Sequence, residues 1–376
     1  MDHTISSAPL EDWLRTRYFD CSIDISSSGV ADCTLGELRD RIGISFTELD
    51  RMPFRDSPSQ GCQRLREAIA ARYSPGNADS VMVTHGSSEA LFLAITAVIE
   101  PGDEIIVVTP SYHSLTAIAE NIGATLRPWR LPAGKGFRPD LDSLRALLNQ
   151  RTKAVVVNFP HNPTGITLND DEYSDFMKII ARHDVHLFWD GAFADLVYGQ
   201  PALPDPSTQM EKCLSFDTLP KAYGLPGLRI GWRIAQRATL DNMIKIRDYT
   251  TLSCSPVSEH LAVHAVEQAD TLIGPRLREA AKNRELLRQW ATKNSEVIDF
   301  QSPAGGVTAF PRFLDVRDTR TLCALLSAED RVLTVPGTCF GLAQHMHIGF
   351  GGHTEALAEG LDRLSERLRG QRLASA

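Results

Sequence analysis

Residues 218–232 read TLPKAYGLPGLRIGW, in which a single lysine, Lys221, occupies a bend and Arg229 follows eight residues later. Lysine is uncommon in this chain: eight of its 39 basic residues are lysines, and arginine takes the other positions. A lysine amine can lose its proton and attack a carbonyl carbon, whereas the arginine side chain stays protonated. The stretch therefore indicates a reactive amine close to a fixed positive charge.

The bulk composition limits the class of protein. With 376 residues, of which 43% are hydrophobic and 23% are charged, the chain is long enough for two or three domains and a large core. The net charge of −8 argues against nonspecific binding of nucleic acid and against binding to an anionic membrane surface. We therefore expect neither a nucleic-acid partner nor a membrane partner.

The cysteines and the apolar runs indicate the compartment. The seven cysteines are scattered, and none of them forms a C-x-x-C pair. This pattern predicts no disulfide framework and no metal site, and it favours a reducing, cytoplasmic location. The N-terminal residues contain no apolar signal core, and the longest apolar run, ALFLAITAVIE at residues 90–100, is too short to span a bilayer.

From about residue 62 the chain alternates between two kinds of pattern. Short apolar strands such as EIIVVT and KAVVVNF are separated by helical stretches such as CQRLREAIAARY and DDEYSDFMKIIARH. Three further strand candidates follow, namely HLFWDGAF, KCLSFDT and LRIGWRIA. Apolar strands that alternate with helices predict an α/β fold with a mostly parallel sheet covered on both faces.

The pattern changes near residue 255. Two long helical stretches, PVSEHLAVHAVEQA and PRLREAAKNRELLRQWATKN, precede the strand-like segments VIDF, GGVTAFPRFL and HMHIGF. This order predicts a smaller α+β domain, which we expect the irregular first 45 residues to join. The predicted division is therefore a large domain at 46–270 and a small domain made of 1–45 and 271–376.

Two features indicate an anion site. Gly86, Ser87 and Ser88 lie between a predicted strand and a predicted helix, where free backbone N–H groups bind phosphate, although a tight turn with a helix cap has the same sequence. Arg229 lies in an apolar stretch and requires either an acidic partner or a ligand anion. The residues alone leave both alternatives open.

Three polar residues follow predicted strands. Asp190 ends the apolar run HLFWD, and a carboxylate at the carboxyl end of such a strand points into the ligand crevice of an α/β sheet. Asn162 lies in HNPTG, which is also good turn chemistry, and Tyr112 in TPSYHS also suits ordinary packing. Each of these residues is a candidate for the site, and each has a structural alternative.

The order of these features is more specific than any one of them. A Gly-Ser-Ser turn, an aromatic residue, Asn-Pro-Thr-Gly, a strand-end aspartate and a lysine with an arginine eight residues later resemble the class I/II aminotransferase family of pyridoxal 5′-phosphate enzymes, over residues 10–365. The resemblance implies aminotransferase fold type I, with a mostly parallel seven-stranded sheet in the large domain. It also implies pyridoxal 5′-phosphate as the cofactor and a homodimer with the active site near the interface.

The resemblance also implies roles for individual residues. Lys221 is expected to bind the cofactor aldehyde as a Schiff base and then to move protons. Asp190 is expected to pair with the pyridinium nitrogen, Asn162 to bond the phenolic oxygen and Tyr112 to stack on the ring. The residues expected to hold the phosphate are Gly86, Ser87, Ser88, Thr218 and Arg229.

The sequence departs from the family pattern at several positions. Phe193 replaces a tyrosine that donates to the phenolic oxygen, and Pro220 replaces the hydroxyl residue before the lysine. His347 replaces the arginine that grips the substrate carboxylate, so we expect either protonated His347 or Arg312 to take that role. The partner-subunit tyrosine expected before Gly61 is absent. Loss of the donor at Phe193 points away from plain transamination.

A closer resemblance concerns pyridoxal-phosphate cyclases that act on hydroxylated arginine. It rests on LEDWLRTRYF, DISSSGV, WDGAFADLV, IRDYTTLS and GGVTAFPRF, although His347 departs from this group too. It implies that water leaves and the guanidine closes a ring, giving capreomycidine from the 3-hydroxy substrate or enduracididine from the 4-hydroxy substrate. We expect Ser28 and Gly29 of the DISSSGV loop to cover the pocket and Asp24 to face the guanidinium.

Two other functions compete with this interpretation. An ordinary aminotransferase would use the same lysine and pass nitrogen to a 2-oxo acid, but Phe193 and His347 count against it. A non-catalytic regulator on this fold would carry an N-terminal DNA-binding domain, which the first 45 residues are too few to hold.

Overall fold

The computed structural model describes residues 6–74 and 77–375. Its strands are β1 (Ile23–Asp24), β2 (Val81–Thr84), β3 (Glu104–Thr109), β4 (Thr125–Arg130), β5 (Thr152–Asn158), β6 (His186–Asp190), β7 (Cys213–Thr218), β8 (Gly231–Ile234), β9 (Ile298–Asp299), β10 (Thr308–Ala309), β11 (Arg312–Phe313), β12 (Val332–Leu333), β13 (Val335–Pro336) and β14 (Met346–Gly349).

Helices surround these strands in the described chain. They are α1 (Pro9–Arg15), α2 (Leu35–Ile42), α3 (Phe46–Asp50), α4 (Gln63–Tyr73), α5 (Gly86–Val98), α6 (Ala117–Ile122), α7 (Leu141–Leu147), α8 (Asp170–Ile180), α9 (Leu219–Ala222), α10 (Arg237–Arg247), α11 (Pro256–Glu267), α12 (Ala269–Lys293), α13 (Thr319–Ala328) and α14 (Thr354–Ser375). Short 3₁₀ turns lie at Ala78–Ser80, His113–Leu115, Ala133–Lys135, Pro206–Thr208, Pro226–Leu228 and Gly337–Phe340.

A seven-stranded sheet forms the centre of the molecule. Its strand order is β2-β8-β7-β6-β5-β3-β4, in which β8 is antiparallel to both neighbours and all other pairs are parallel. Along β3, Ile106 and Val108 pack into one apolar cluster and Ile105 and Val107 into another, one on each face. The predicted α/β fold with a mostly parallel sheet covered on both faces is therefore confirmed.

The sheet brings the polar strand ends to one edge. Asn158 at the end of β5 lies in register with Asp190 at the end of β6, and β7 runs parallel beside them to Thr218. On the outer side, β2 ends at Thr84 and α5 begins two residues later at Gly86. Since parallel strands end at the same edge, these turns form the wall of a single crevice.

The N-terminal segment is more ordered than the sequence indicated. We expected the first 45 residues to be irregular, and this was wrong because they contain α1 and α2. Pro9 begins α1, and α2 begins with a capping box in which Thr34 and Glu37 bond to each other's backbone N–H. The proline and the capping box that begin these helices are short signals, and the neighbouring serines and glycines are typical of loops.

The N-terminal segment packs with the C-terminal part of the chain. Strand β1 pairs in parallel with β12, and β10, β14 and β13 form a small antiparallel sheet. The division into 46–270 and 1–45 with 271–376 stays a prediction. Among the described residues, none of the helices combines the length and apolar character that crossing a bilayer requires.

Candidate active site

A cavity of about 620 Å³ lies at the carboxyl ends of β5, β6 and β7. Helix α1, the loop after β1 and the first turn of α5 complete its wall. Most of the site residues predicted from the sequence line it: Ser28, Ser87, Ser88, Tyr112, Asn162, Asp190, Thr218, Lys221, Arg229 and His347. The structure therefore brings together groups that are up to 319 positions apart in the sequence.

Lys221 lies on α9, directly after β7. Its Nζ donates a hydrogen bond to Ser28 Oγ at 2.8 Å. Burial lowers the pKa of Lys221 from 10.5 to about 8, and the negative charges of Asp190 and Glu11 oppose this shift. At pH 7 roughly a tenth of this amine is therefore neutral and nucleophilic, compared with well under a thousandth for a lysine at the ordinary pKa.

Asp190 is a buried carboxylate at the end of β6. Burial raises its pKa to about 6, although its Oδ1 accepts the backbone N–H of Ala192 at 3.1 Å. Asn158 donates its Nδ2 to the Asp190 carbonyl at 2.9 Å and accepts the Asn162 backbone N–H at 2.7 Å. Asn158 therefore holds two predicted site residues in place, a role that its position inside an apolar strand pattern did not indicate.

Three polar side chains of the cavity have buried atoms without partners among the described residues. They are His113, through Nδ1, Asn162, through Oδ1, and His347, through both ring nitrogens. His347 stacks on Phe340 with ring centroids 5.4 Å apart. Burial first, and then the nearby Lys221, lowers the pKa of His347 to about 3, so its ring is uncharged at neutral pH. These atoms are available to a bound molecule as neutral hydrogen-bonding groups.

The first turn of α5 and Arg229 form the anion side of the cavity. Arg229 follows a 3₁₀ turn, has φ +52° and is exposed. Strand β8 begins two residues later, at Gly231. The expectation that Arg229 lies within a strand was therefore wrong. Gly86 has φ +74°, which favours glycine, and a Cβ there would lie 2.7 Å from Arg229 Nη2 and displace the guanidinium. Thr218 Oγ1 donates to the Ile230 carbonyl at 3.1 Å and is left as an acceptor.

Tyr112 leads to an acidic residue that the sequence analysis missed. Its hydroxyl donates to Glu11 Oε1 at 3.1 Å, and burial followed by the charge of Glu11 raises the pKa of Tyr112 to about 12. Glu11 lies in the first turn of α1 and lines the cavity. Acidic residues are common in first helical turns, so the sequence carried no signal that singled out Glu11.

Three predicted substrate residues do not line the cavity. Asp24 Oδ1 accepts both the backbone N–H and the hydroxyl of Ser26, at 2.7 and 2.6 Å. Gly29 packs against the lysine turn, where a Cβ would lie 2.9 Å from the Pro220 carbonyl oxygen. Arg312 is exposed and donates to Gln344 Oε1 at 3.1 and 2.8 Å. The expectation that Arg312 substitutes for the carboxylate-binding arginine therefore has no support in the geometry.

Phe193 gives the cavity an apolar wall beside the lysine. Its buried ring centroid lies 5.7 Å from Lys221 Nζ. A phenylalanine offers no hydroxyl, so a ligand oxygen at this position finds no donor on that side. The replacement of tyrosine by Phe193 therefore leaves the wall beside Lys221 apolar and without a hydroxyl donor.

These residues fit pyridoxal 5′-phosphate. The N-terminus of α5, with Ser87, Ser88 and Arg229, suits a phosphate group, because free N–H groups and a guanidinium converge there. Asp190 suits a protonated ring nitrogen, and the NH2 group of the Asn162 amide can donate to a ring oxygen. Lys221 supplies the amine that an aldehyde requires.

The comparisons agree with this chemistry. A family model for aminotransferase class I and II matches residues 49–364. The chain belongs to this family. Capreomycidine synthase from Streptomyces vinaceus is 51% identical over 366 residues, which cover 97% of this chain and 94% of that protein. Aspartate aminotransferase from Thermotoga maritima is 29% identical, with 86% of each chain covered.

Solved structures of the family give the same result. The pyridoxal-phosphate-dependent cyclase OrfR superposes with a TM-score of 0.93 at 39% identity, over 97% of this chain and 98% of that chain. A pyridoxal-phosphate-dependent aminotransferase from Streptococcus suis superposes with a TM-score of 0.92 at 25% identity, with the same shares covered. The predicted fold type I is confirmed, and this aminotransferase-family chain is a pyridoxal 5′-phosphate enzyme.

Proposed function

We propose that this enzyme is a cyclase that converts a 3- or 4-hydroxylated L-arginine into a cyclic guanidine amino acid. The observation that carries the proposal is the 51% identity with capreomycidine synthase along 97% of the chain, compared with 29% for aspartate aminotransferase. Capreomycidine is the product expected from the 3-hydroxy substrate and enduracididine from the 4-hydroxy substrate.

The reaction balances without a second substrate. The C–O bond to the hydroxyl breaks, a C–N bond to a guanidine nitrogen forms, and one water leaves. The bound cofactor supplies an electron sink for the pair left when the Cα–H bond breaks. Neither an oxidant nor an amino acceptor is needed.

Lys221 is the group that moves the proton. Its depressed pKa makes the neutral amine available to take the Cα proton, and the resulting ammonium can return a proton to the departing hydroxyl. Ser28 Oγ accepts from Nζ at 2.8 Å and so orients the amine within the cavity. The phenyl ring of Phe193, 5.7 Å from Lys221 Nζ, excludes water from that side of the amine.

Glu11 is the group that binds the guanidinium. Among the described residues on the cavity wall, Glu11 and Asp190 are the two carboxylates, and Asp190 suits the cofactor ring. A carboxylate that accepts from a guanidinium forms a strong, charge-assisted contact. Helix α1 therefore presents Glu11 to the end of the substrate that closes the ring.

The substrate carboxylate has neutral partners in this site. The cationic side chains that the described cavity wall offers are Lys221 and Arg229, which suit the cofactor aldehyde and phosphate. The neutral ring of His347 carries buried, unpartnered nitrogens in the same cavity, and Asn162 has an amide NH2 group that can donate. We assign the carboxylate to the His347 N–H and the Asn162 NH2 group, which donate to it without a full countercharge.

The assembly we propose is a cytoplasmic homodimer. The resemblance to the aminotransferase family implies a homodimer, and Phe54 and Tyr249, each 93% exposed, are side chains that we expect a partner to cover. All seven cysteines are free, as a reducing compartment requires. Light scattering on the purified protein tests the dimer, since a monomer at micromolar concentration contradicts it.

The cyclase reaction is tested by incubating the cofactor-loaded protein with 3-hydroxyarginine or with 4-hydroxyarginine, both without a 2-oxo acid, followed by mass spectrometry. The proposal predicts a product lighter than the substrate by one water, with all nitrogens kept, and the productive isomer gives the ring size. If an amino group moves to an added 2-oxo acid and no water is lost without it, the enzyme is an aminotransferase.

A further inference from the structure

A second cluster of chemically reactive side chains lies outside the active-site cavity. It consists of Glu48 on α3 and of His260 and His264 on α11. None of the three lines the cavity around Lys221. Glu48 is exposed and the two histidines are half-buried, so a solute can reach the cluster.

The two histidines have the spacing of a helical metal site. Positions four apart lie on one face of a helix, and the ring centroids of His260 and His264 are 4.9 Å apart. The Nε2 atom of each ring is buried and has no hydrogen-bond partner in the described chain. Two imidazole nitrogens are thus buried without a hydrogen-bond partner, a state that is costly unless something binds them.

Glu48 brings a carboxylate to the same point from another helix. One ligand atom from each of the three side chains lies within 4.8 Å of the other two. Glu48 Oε2 accepts the backbone N–H and the hydroxyl of Ser45 at 3.0 and 3.1 Å, which caps α3 and fixes the carboxylate. These bonds use one oxygen and leave the other for a ligand.

Arg64, a basic side chain near Glu48 and His260, already has its partner. Arg64 Nε and Nη2 donate to the two carboxylate oxygens of Glu267 at 2.9 and 2.8 Å. This bidentate pair neutralises the guanidinium, so it neither occupies Glu48 in the structure nor presents an unbalanced charge to an incoming cation.

We propose that Glu48, His260 and His264 bind a divalent transition-metal ion of the Zn²⁺ or Ni²⁺ class. Two imidazoles and one carboxylate are the ligand set that such ions prefer, and Mg²⁺ and Ca²⁺ favour oxygen ligands alone. Metal–ligand distances of about 2.0–2.2 Å require the three atoms to close in by roughly 1 Å, which small rotations of the two imidazole rings and of the Glu48 carboxylate supply. Water completes the coordination.

The ion would link α3 to α11. No metal site was expected from the sequence, because the cysteines are unpaired and Glu48 is more than 200 residues from the two histidines. The three possible ligands come together only in the folded chain, where Glu48 of α3 lies beside the two histidines of α11. Because the ion binds the folded chain, it is expected to raise the midpoint of thermal unfolding.

The test is calorimetric titration of the chelator-treated, cofactor-loaded protein with ZnCl₂. The proposal predicts one ion per chain with a dissociation constant in the micromolar range or below. The double variant H260A/H264A should weaken binding at least tenfold, and E48Q should weaken it by a smaller factor. H353A is the matched control, because His353 is an exposed histidine beside Glu279 and should leave binding unchanged.

Co²⁺ spectroscopy separates this site from the free thiols. The proposal predicts visible bands of cobalt with nitrogen and oxygen ligands, without sulfur-to-metal charge transfer, and their loss in H260A/H264A. A single variant, H264Q, repeats the test with less disturbance of α11, and circular dichroism checks that each variant is folded. Unchanged zinc binding in the folded histidine variants, or no binding by the parent protein, would overturn the proposal.

Discussion

Lys221 Nζ donates to Ser28 Oγ at 2.8 Å, although the two residues are 193 positions apart. The backbone follows the same path, since the N–H of Val30 donates to the Lys221 carbonyl at 3.1 Å. The loop after β1 is therefore attached to the lysine turn at two points. We infer that the N-terminal segment positions the reactive amine as well as covering the pocket.

Replacing Ser28 with alanine tests this inference. The variant S28A removes the acceptor of the lysine N–H and should lower kcat by about tenfold, as expected for a hydrogen bond to a charged group. S27A is the matched control, because the Ser27 hydroxyl accepts the Gly29 N–H and does not touch the lysine. Equal losses in the two variants would mean that the loop, and not the contact with Lys221, matters.

The lowered pKa of Lys221 predicts the pH dependence of cofactor attachment. Only the neutral amine attacks the aldehyde, so the rate at which added pyridoxal 5′-phosphate becomes covalently attached to the apoprotein should rise with pH and reach half its limit near pH 8. Stopped-flow absorbance measures this rate. A midpoint near 10.5, the ordinary lysine value, would contradict the burial of the amine.

A variant of Asp190 tests whether its carboxylate raises or lowers the pKa of Lys221. The carboxylate of Asp190 raises the pKa of Lys221 by stabilising its ammonium form. In D190N this stabilisation is lost, so the midpoint for attachment should move to lower pH. Asp12, which pairs with Arg15 on the surface, serves as the control through D12N. A midpoint that moves upward in D190N would contradict the contact.

Glu11 tests how the guanidinium is bound. The variant E11Q keeps the shape of the side chain and its bond from Tyr112 but removes the charge, so KM for the hydroxyarginine should rise about 10–100-fold. Steady-state kinetics measure this, and kcat should change less. The neighbour variant D12N should leave KM unaltered. An unchanged KM in E11Q would show that another group binds the guanidinium.

Phe193 tests why the site favours ring closure. The variant F193Y restores a hydroxyl donor on the wall beside Lys221, so amino transfer to a 2-oxo acid should increase at the expense of cyclisation. The measured quantity is the ratio of the two products by mass spectrometry. F193L, which changes the ring but adds no donor, should not produce the new activity. Equal product ratios in F193Y and the parent protein would contradict the role of the missing donor.

Much of the site was predictable because its residues occupy positions with local signals. Asp190 and Thr218 end buried strands, Gly86 begins a helix and Lys221 lies in a turn, and each of these patterns is readable within a few residues. The alternation of strands and helices predicts parallel strands, and the ends of parallel strands lie at one edge of the sheet.

The residues that were missed depend on long-range packing. Glu11 enters the cavity only because α1 folds over the sheet edge, and Asn158 matters only through its bonds to neighbouring turns. Arg229 adopts a positive φ, which is uncommon for arginine. The apolar residues around it predicted a buried strand position, and the structure instead leaves Arg229 exposed in a turn. The edge strand β4 was missed because its sequence, TLRPWR, is polar and contains a proline.

The formation of the ring bond is the most direct measure of the proposed reaction. The hydroxyarginine isomer that the enzyme consumes should be prepared with ¹⁵N in the guanidine group and ¹³C in the side chain, and its product examined by NMR. We predict a one-bond ¹³C–¹⁵N coupling between a guanidine nitrogen and Cβ for the 3-hydroxy substrate or Cγ for the 4-hydroxy substrate. A product whose guanidine is bonded only to Cδ, with an oxo group at Cα, would contradict the account.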